Sequence, residues 1–192
     1  GSAEHIAAVV RFELQNQKFE PESVLIHGTI AEFLDLALPF LPLWDRPALL
    51  DHVVQASLMV PQVPVQPLAP LLDRFSTAGL VLGVATNDNE APARAQLLTA
   101  GILDCFDFVA GCDSGHGAKP GDGMQRGFCA ATGLDATRVA MVGDSAHDMA
   151  ACRKAGMQTI EVLTGVAGRS ELAPHSYLVL RYIGDIADFI AR

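Results

Sequence analysis

The amino-acid sequence predicts an α/β fold: a doubly wound parallel sheet preceded by a small helical domain. Three observations support this prediction. From residue 71 onward, short apolar runs alternate with amphipathic segments of about a dozen residues. The apolar runs lack polar alternation, as expected for strands that are covered on both faces. A cluster of prolines in 61–70 separates this region from a more uniformly helical one.

The segment before the prolines, residues 1–60, is expected to be helical throughout. In 3–17 the apolar residues recur at the spacing of one helix face. Thr29 is a suitable N-cap for a second apolar helix. Pro47 lies in the first turn of a third helix, where a missing backbone N–H costs nothing. The proline-dense segment 61–70 is interpreted as a stiff extended connector between two domains.

Residues 71–192 alternate between predicted strands and predicted helices. Because each helix returns the chain to the start of the next strand, this alternation predicts a parallel sheet with helices on both faces. Such sheets bind ligands at the carboxyl ends of their strands. The predicted strands lie within 80–87, 106–111, 138–144, 158–165 and 176–180, and the predicted helices within 67–79, 90–101, 121–133, 145–156 and 183–192.

Composition and charge narrow the possible partners. The 192 residues include 13 basic and 22 acidic side chains, giving a net charge of −9, and mean hydropathy is positive. Lysine and arginine form no cluster, so we expect no binding to nucleic acid or to an anionic membrane. No apolar run approaches the ~20 residues of a membrane span. The four cysteines lack zinc-binding spacing and are expected to be free thiols of a cytoplasmic protein.

Polar side chains with phosphate and metal chemistry follow three of the predicted strands. Thr86 and Asn87 end the first, Lys119 lies in a glycine-rich loop after the second, and Asp144 ends the third, with Asp148 one turn into the next helix. Carboxylate oxygens are the ligands that Mg²⁺ takes, and Mg²⁺ shares its coordination shell with substrate phosphate. A hydroxyl and an ammonium group bind phosphate oxygens. The set therefore predicts a cation-assisted phosphate site.

Each of these residues also has a purely structural interpretation. Thr86 or Asp144 could cap the helix that follows it, Asp148 could be favoured there by the helix dipole, and Lys119 could be a solvated loop side chain. Nearby histidine and cysteine side chains are not expected to bind a metal or to take part in catalysis. His116 and His147 are interpreted as exposed side chains rather than ligands, and Cys112 has no visible base to activate it as a nucleophile.

The ordered set resembles the haloacid dehalogenase (HAD) superfamily, in particular its phosphoglycolate phosphatase-like branch. "GLVLGVATND", "GAKPG" and "VAMVGDSAHDMAACRKAGM" resemble the second, third and fourth motifs of that family, and the likeness covers 67–192. It implies a Rossmann-like core in 71–192 after the connector 61–70, and a helical cap in 1–60 that is incomplete at its N-terminus.

The resemblance also implies roles for individual residues. Lys119 and Asp144 would be catalytic. Thr86, Asn87 and Lys119 would bind the substrate phosphate. Asp144 and Asp148 would bind Mg²⁺ as the cofactor.

The family's nucleophile, the first Asp of a D-x-D-G-T loop, has no counterpart in this sequence. "SVLIHGTIAEF" contains Gly28 and Thr29, but His27 stands where an Asp would be needed. We interpret this segment as the start of a cap helix with no catalytic role. The expectation is that the nucleophile strand lies upstream of residue 1, that its loss exposes two apolar strand edges, and that the present chain alone is inactive.

The predicted function is a Mg²⁺-dependent phosphatase of small phosphomonoesters that works through an aspartyl-phosphate. Its partner would be a small phosphorylated metabolite, and the protein would be a cytoplasmic monomer or homodimer. The alternative is a catalytically inactive HAD-like protein that binds phosphate or a protein partner. A receiver domain of the response-regulator type is less favoured, because its acidic pair comes early in the chain, whereas Asp144 and Asp148 come late.

Overall fold

A computed structural model describes residues 1–20, 22–166, 168–169 and 177–190. The chain begins with helix α1 (Ser2–Val9) and a two-stranded hairpin, β1 (Phe12–Glu13) and β2 (Lys18–Phe19). The elements that follow are α2 (Val24–His27), α3 (Ile30–Ala37), α4 (Arg46–Leu58), α5 (Leu68–Thr77), β3 (Gly83–Ala85), α6 (Glu90–Thr99), β4 (Phe108–Ala110), α7 (Gly123–Thr132), β5 (Ala140–Gly143), α8 (Ala146–Ala155), β6 (Gln158–Val162), β7 (Leu178–Leu180) and α9 (Ala187–Ile190).

The hairpin corrects the prediction of one long helix over 3–17. Helix α1 ends at Val9, and the next turn is broken by Arg11, whose φ of 55° lies outside the right-handed helical region. The rings of Phe12 and Phe19 pack across the two strands with centroids 4.7 Å apart. The helix pattern was misleading because this cross-strand aromatic pair stabilises the hairpin instead.

Helices α3 and α4 follow the sequence pattern. Thr29 caps α3 in a capping box, since its hydroxyl accepts from the Glu32 N–H at 3.2 Å and the Glu32 carboxylate accepts from the Thr29 N–H at 2.7 Å. The interface between α3 and α4 is a small apolar core built around Leu34, Ala37 and Leu49. Thr29 is therefore a helix cap, as predicted.

The predicted connector 61–70 has no regular secondary structure over 61–67, and its last three residues belong to α5, which begins at Leu68. Helix α5 packs its buried face against Ile102 and Ala187. The predicted terminal helix starts as a 3-10 turn, Ile183–Ile186, continues into α9, and has its last two residues outside the described part of the chain. Within the described residues, no helix is long and apolar enough to cross a membrane.

The described strand pairs after the hairpin are all parallel. A helix separates each strand from the next between β3 and β6, which confirms the predicted α/β architecture. The strands nevertheless form two pieces. Strand β3 pairs with β4, Gly83 lying opposite Phe108, and β5 pairs with β6, which pairs with β7. Among the described strands, none pairs with the second edge of β3 or of β5.

Helix α7 contacts residues of both strands, β3 and β5. Phe128 of α7 lies against Gly83, where a Cβ would be 2.6 Å from the phenyl ring. Gln125 of the same helix donates from Nε2 to the Met141 sulfur on β5, at 3.1 Å. Gly83 and Ala140 are exposed, although interior strands of a doubly wound sheet are normally covered. Among the described strands, none fills the position between β3 and β5, so the sheet is open there.

The capping box gives a first prediction. Replacing Thr29 with Ala removes the side-chain oxygen that accepts from the Glu32 N–H, so we expect a loss of about 1 kcal/mol in the free energy of unfolding. Thr29→Ser keeps that oxygen and should lie within a few tenths of a kcal/mol of the wild type. Urea unfolding followed by circular dichroism measures both. Equal losses in the two variants would contradict the capping role.

Candidate active site

The five residues singled out from the sequence all lie at the carboxyl edge of the parallel strands. Thr86 and Asn87 directly follow β3, Lys119 lies in the loop between β4 and α7, Asp144 follows β5, and Asp148 lies in the first turn of α8. Lys119 forms hydrogen bonds with two of the other four residues, Asn87 and Asp148. This convergence follows from the topology, since parallel strands joined by helices place their carboxyl ends together.

The ammonium group of Lys119 contacts the end of β3 and the first turn of α8. Its Nζ is 2.7 Å from Asp148 Oδ1 and donates to the Ala85 carbonyl oxygen at 2.9 Å. The pair is largely withdrawn from solvent, with 12% of the Lys119 side chain and 8% of the Asp148 side chain exposed. Since an ammonium group has three N–H donors, these contacts leave one for a ligand.

Asp148 is held by neighbours on both of its oxygens. The second oxygen, Oδ2, accepts from the Ser145 hydroxyl at 2.8 Å and from the Asp144 N–H at 3.3 Å. Ser145 is the N-cap of α8 and accepts in return from the Asp148 N–H. A Cβ at Gly143 would lie 2.5 Å from the Asp148 Cβ. The Gly-Asp-Ser sequence therefore lets the carboxylate fold back under the strand end.

Asn87 is buried, and its amide is fully used by backbone groups. Its Nδ2 donates to the carbonyl oxygens of His27, at 2.8 Å, and Lys119, at 3.0 Å. Its Oδ1 accepts from the Lys119 N–H at 2.8 Å. A carboxamide has two N–H donors, so none remains for a phosphate oxygen. This geometry does not fit the predicted substrate-binding role; Asn87 instead fixes the Lys119 peptide.

Thr86 is half-buried at the end of β3. Its hydroxyl oxygen accepts from the Asp88 N–H at 3.1 Å, while the hydroxyl proton has only a long contact, 3.5 Å, to the Asp88 carboxylate. A hydroxyl group that already accepts one bond still has its own proton to donate. Thr86 can therefore donate to an anion at the strand end.

Asp144 differs from Asp148 because no side chain of the described residues donates to its carboxylate. Burial raises the pKa of Asp144, the negative charge of Asp148 raises it further, and Lys119 and His27 partly oppose this shift. A Cβ at Gly165 would be 2.7 Å from the Asp144 carboxylate, so the segment after β6 closes over it. A partly buried carboxylate of this kind is suited to a cation.

Two histidines that the sequence analysis set aside lie at this site. The rings of His27 and His147 meet edge to face with centroids 5.6 Å apart, and His147 Nδ1 is 3.4 Å from the His27 carbonyl oxygen. His147 is half-buried, so its predicted exposure is wrong. The location of His147 at the site could have been predicted from the sequence, because His147 precedes Asp148 in the first turn of α8. The position of His27 depends on long-range docking and had no such local signal.

A cavity of about 600 Å³ opens beside the two histidines. Its walls come from the segment 22–36 and from the first turn of α8, at Ala146 and His147. The volume is within the range of small-molecule sites. The cavity therefore adjoins the strand ends that carry the polar residues.

The remaining expectations about reactive side chains agree with the structure. His116 is exposed. The four cysteines are free thiols. Burial and the neighbouring charge of Asp113 raise the pKa of the Cys112 thiol, which disfavours the thiolate that a nucleophile requires.

Comparison with known proteins identifies the family. The model of the haloacid dehalogenase-like hydrolase family matches residues 45–162, and the chain therefore belongs to that family. The match includes α5 to β6 and thus every site residue predicted from the sequence.

Individual relatives agree with this assignment. A probable phosphatase of Dickeya dadantii is 38% identical over 94 residues, covering 49% of this chain and 41% of the relative. A phosphoglycolate phosphatase of Rhodospirillum rubrum is 36% identical over 95 residues, covering 50% and 39%. A crystal structure of a predicted phosphoglycolate phosphatase from Haemophilus somnus superposes with a TM-score of 0.71 at 17% identity, over 98% of this chain and 91% of that one. The latter likeness shows the fold alone.

The buried ion pair gives a second prediction. Lys119→Met leaves the Asp148 carboxylate buried without its cation, so the free energy of unfolding should fall by about 3 kcal/mol. Adding Asp148→Asn to that variant removes the unpaired charge and should restore at least about half of the loss. Chemical unfolding of the wild type, both single variants and the double variant measures the coupling.

Lys154→Met is the matched control for that cycle. Lys154 is exposed and donates to the Pro120 carbonyl oxygen at 2.8 Å. Its replacement should change stability by no more than about 0.5 kcal/mol. Additive losses in the Lys119 and Asp148 variants would mean that the two side chains are not paired in solution.

Proposed function

We propose that this chain carries the phosphate-binding and metal-binding side of a Mg²⁺-dependent phosphatase of small phosphomonoesters. The observation that supports this most strongly is the position of Lys119. One buried ammonium group contacts the end of β3 and the start of α8, with one N–H left for a ligand and Asp144 nearby. Family membership and the phosphatase relatives favour the same reaction.

Each residue has a distinct task in this proposal. The Thr86 hydroxyl and the remaining Lys119 N–H donate to phosphate oxygens and stabilise the charge that grows as the ester bond breaks. Asp148 holds the ammonium group in place, which makes it a positioning residue. Asn87 is also a positioning residue, because its amide bonds fix the Lys119 peptide and the His27 carbonyl.

The proposed cofactor is Mg²⁺, and Asp144 is its proposed ligand. Within the described residues, no three His, Cys, Asp or Glu side chains are grouped so that they could hold a metal ion alone. Mg²⁺ does not need such a group, since it usually keeps several waters and binds through one or two carboxylates together with the substrate phosphate. When bound, it would neutralise phosphate charge. Asp148 fits a metal-ligand role less well, because Lys119, Ser145 and the backbone occupy its oxygens.

The open position between β3 and β5 supports the proposal that an upstream segment supplies the nucleophile. In β3, the backbone groups of Leu82 and Thr86 form hydrogen bonds with β4. The backbone groups of Gly83 and Ala85 therefore face the other edge of the strand. The same alternation turns Ala140 and Val142 of β5 away from β6. A parallel strand inserted there would end beside Lys119.

A carboxylate at the end of that strand would attack phosphorus, displace the alcohol and form the aspartyl-phosphate. Water would then hydrolyse this intermediate to inorganic phosphate and restore the carboxylate. Phosphoglycolate phosphatases among the relatives make a small phosphorylated metabolite the proposed substrate class. We further propose that residues 1–60 form the cap over the core 71–192, joined by the connector 61–70, and that the protein works in the cytoplasm as a monomer or homodimer.

The activity gives the third prediction. The product of the complete reading frame should hydrolyse p-nitrophenyl phosphate only with Mg²⁺, and Asp144→Asn should lower kcat/KM at least about a hundredfold, as expected for loss of a charged group that stabilises the transition state. Asp51→Asn, an exposed change on α4, is the control and should keep full activity. The 192-residue chain alone should show negligible turnover. Mg²⁺-independent turnover, or an unaffected Asp144→Asn variant, would contradict the proposal.

A complete reading frame without an upstream D-x-D motif, together with no turnover, would instead favour the binding-protein alternative. That outcome would leave the phosphate site itself open to measurement by ligand binding.

The fourth prediction concerns metal and pH. The pKa of Asp144 is raised in the folded chain, so ionisation of this carboxyl group destabilises the fold. The free-energy cost is fully present above the folded-state pKa and disappears as falling pH protonates the group. Asp144→Asn should therefore raise the thermal midpoint of the metal-free 192-residue chain at pH 7. Mg²⁺ should raise the midpoint of the wild type and of Asp51→Asn but not of Asp144→Asn. An equal Mg²⁺ response in all three would exclude Asp144 as the ligand.

A further inference from the structure

The cavity beside His27 and His147 is placed to receive the alcohol portion of a phosphomonoester. His147 lines the cavity and precedes Asp148 in the chain. His27 lines it too, and its carbonyl oxygen is 2.8 Å from the Asn87 amide that fixes Lys119. An ester whose phosphate contacts Lys119 and Thr86 could extend its alcohol portion toward this space.

The lining of the cavity is acidic. Among the described residues, it includes Glu22, Glu32 and Asp35 and contains no lysine or arginine. Of the described lining residues, only the two histidines have basic side chains. A carboxylate entering this space would meet like charges, whereas an ammonium group would meet opposite ones.

Two of the three carboxylates have a cation outside the lining. Glu22 is 3.4 Å from Arg11, and Asp35 is paired with Arg46. The third carboxylate, that of Glu32, differs. One of its oxygens accepts hydrogen bonds from the N–H and the hydroxyl of Thr29, at 2.7 and 3.1 Å, and neither donor carries a charge. The negative charge of Glu32 is therefore not offset by an ion pair among the described residues.

We propose that the site selects phosphomonoesters whose alcohol portion carries an ammonium group, and that it discriminates against a carboxylate such as that of phosphoglycolate. Glu32 is the specificity-determining residue. This inference rests on the proposed function and names its substrate class. It separates this chain from the relatives called phosphoglycolate phosphatases, whose named substrate has a negatively charged alcohol portion.

Three two-carbon esters test the proposal, because they differ only in the terminal group: O-phosphoethanolamine, ethyl phosphate and 2-phosphoglycolate. Dissociation constants are measured by calorimetry with the protein expressed from the complete reading frame, with Mg²⁺ in low-salt buffer. The buffer is held at pH 8, where histidine ordinarily carries little charge. O-phosphoethanolamine should bind at least about fivefold more tightly than 2-phosphoglycolate, with ethyl phosphate between them, and the difference should shrink in 0.5 M NaCl.

Glu32→Gln separates the local charge from the net charge of the protein. Glutamine also forms capping boxes, so the N-terminus of α3 stays intact. The ratio between the two charged esters should fall about threefold or more in this variant, while ethyl phosphate binding should not change. Glu13→Gln, an exposed residue of the hairpin outside the cavity lining, is the matched control and should keep the wild-type ratio.

Equal affinities, tighter binding of 2-phosphoglycolate, no measurable binding of any ester, or an unchanged ratio in Glu32→Gln would each overturn the proposal. Hydrolysis of p-nitrophenyl phosphate, which lacks the two-carbon portion, is assayed in parallel. Turnover of that ester combined with a preference for 2-phosphoglycolate would refute the substrate class alone. Absence of turnover combined with selective binding of O-phosphoethanolamine would refute the phosphatase proposal and leave the selectivity established.

Discussion

The buried ion pair between Lys119 and Asp148 is the interaction on which the rest of the site depends. It ties together three segments that are distant in sequence: the end of β3, the loop after β4 and the first turn of α8. Burial makes such a pair costly, and an ion pair of this kind often contributes little net stability. Its role here is to position the ammonium group, because it holds one N–H of that group at the open edge of the sheet.

Asp144 and Asp148 have opposite environments, although they are only four residues apart. Asp148 is saturated by Lys119, Ser145 and the Asp144 N–H, so its charge is compensated inside the protein. Asp144 is partly buried beside that negative charge and lacks a side-chain donor among the described residues. This difference is the reason that we propose a positioning role for Asp148 and a cation-binding role for Asp144.

Much of the site could be predicted from sequence because it is set by topology. Strand–helix alternation places strand ends on one edge, so Thr86, Lys119, Asp144 and Asp148 had to converge once the strands were assigned. The capping of α3 by Thr29 was equally local. What could not be predicted depends on tertiary contacts. Motif spacing does not show that backbone groups saturate the Asn87 amide, and only docking of the 22–36 segment brings His27 to the strand ends.

The hairpin at residues 12–19 shows a different limit. A helical spacing of apolar residues was present, but the contact between Phe12 and Phe19 stabilises two short strands. Periodicity in a segment with only a few apolar residues cannot distinguish these outcomes. The same limit applies to the sheet. Each strand was recognisable from its own residues, whereas the open position between β3 and β5 is a property of the assembled fold.

The most direct test of the central claim is a crystal structure of the 192-residue chain with Mg²⁺ and tungstate, a heavy-atom analogue of phosphate. The account predicts anomalous density for tungsten at the open edge of the sheet, with a tungstate oxygen at about 2.8–3.0 Å from Lys119 Nζ, another near the Thr86 hydroxyl, and a cation against the Asp144 carboxylate. Tungstate bound elsewhere, with the Lys119–Asp148 pair unchanged and no density at the strand ends, would contradict it.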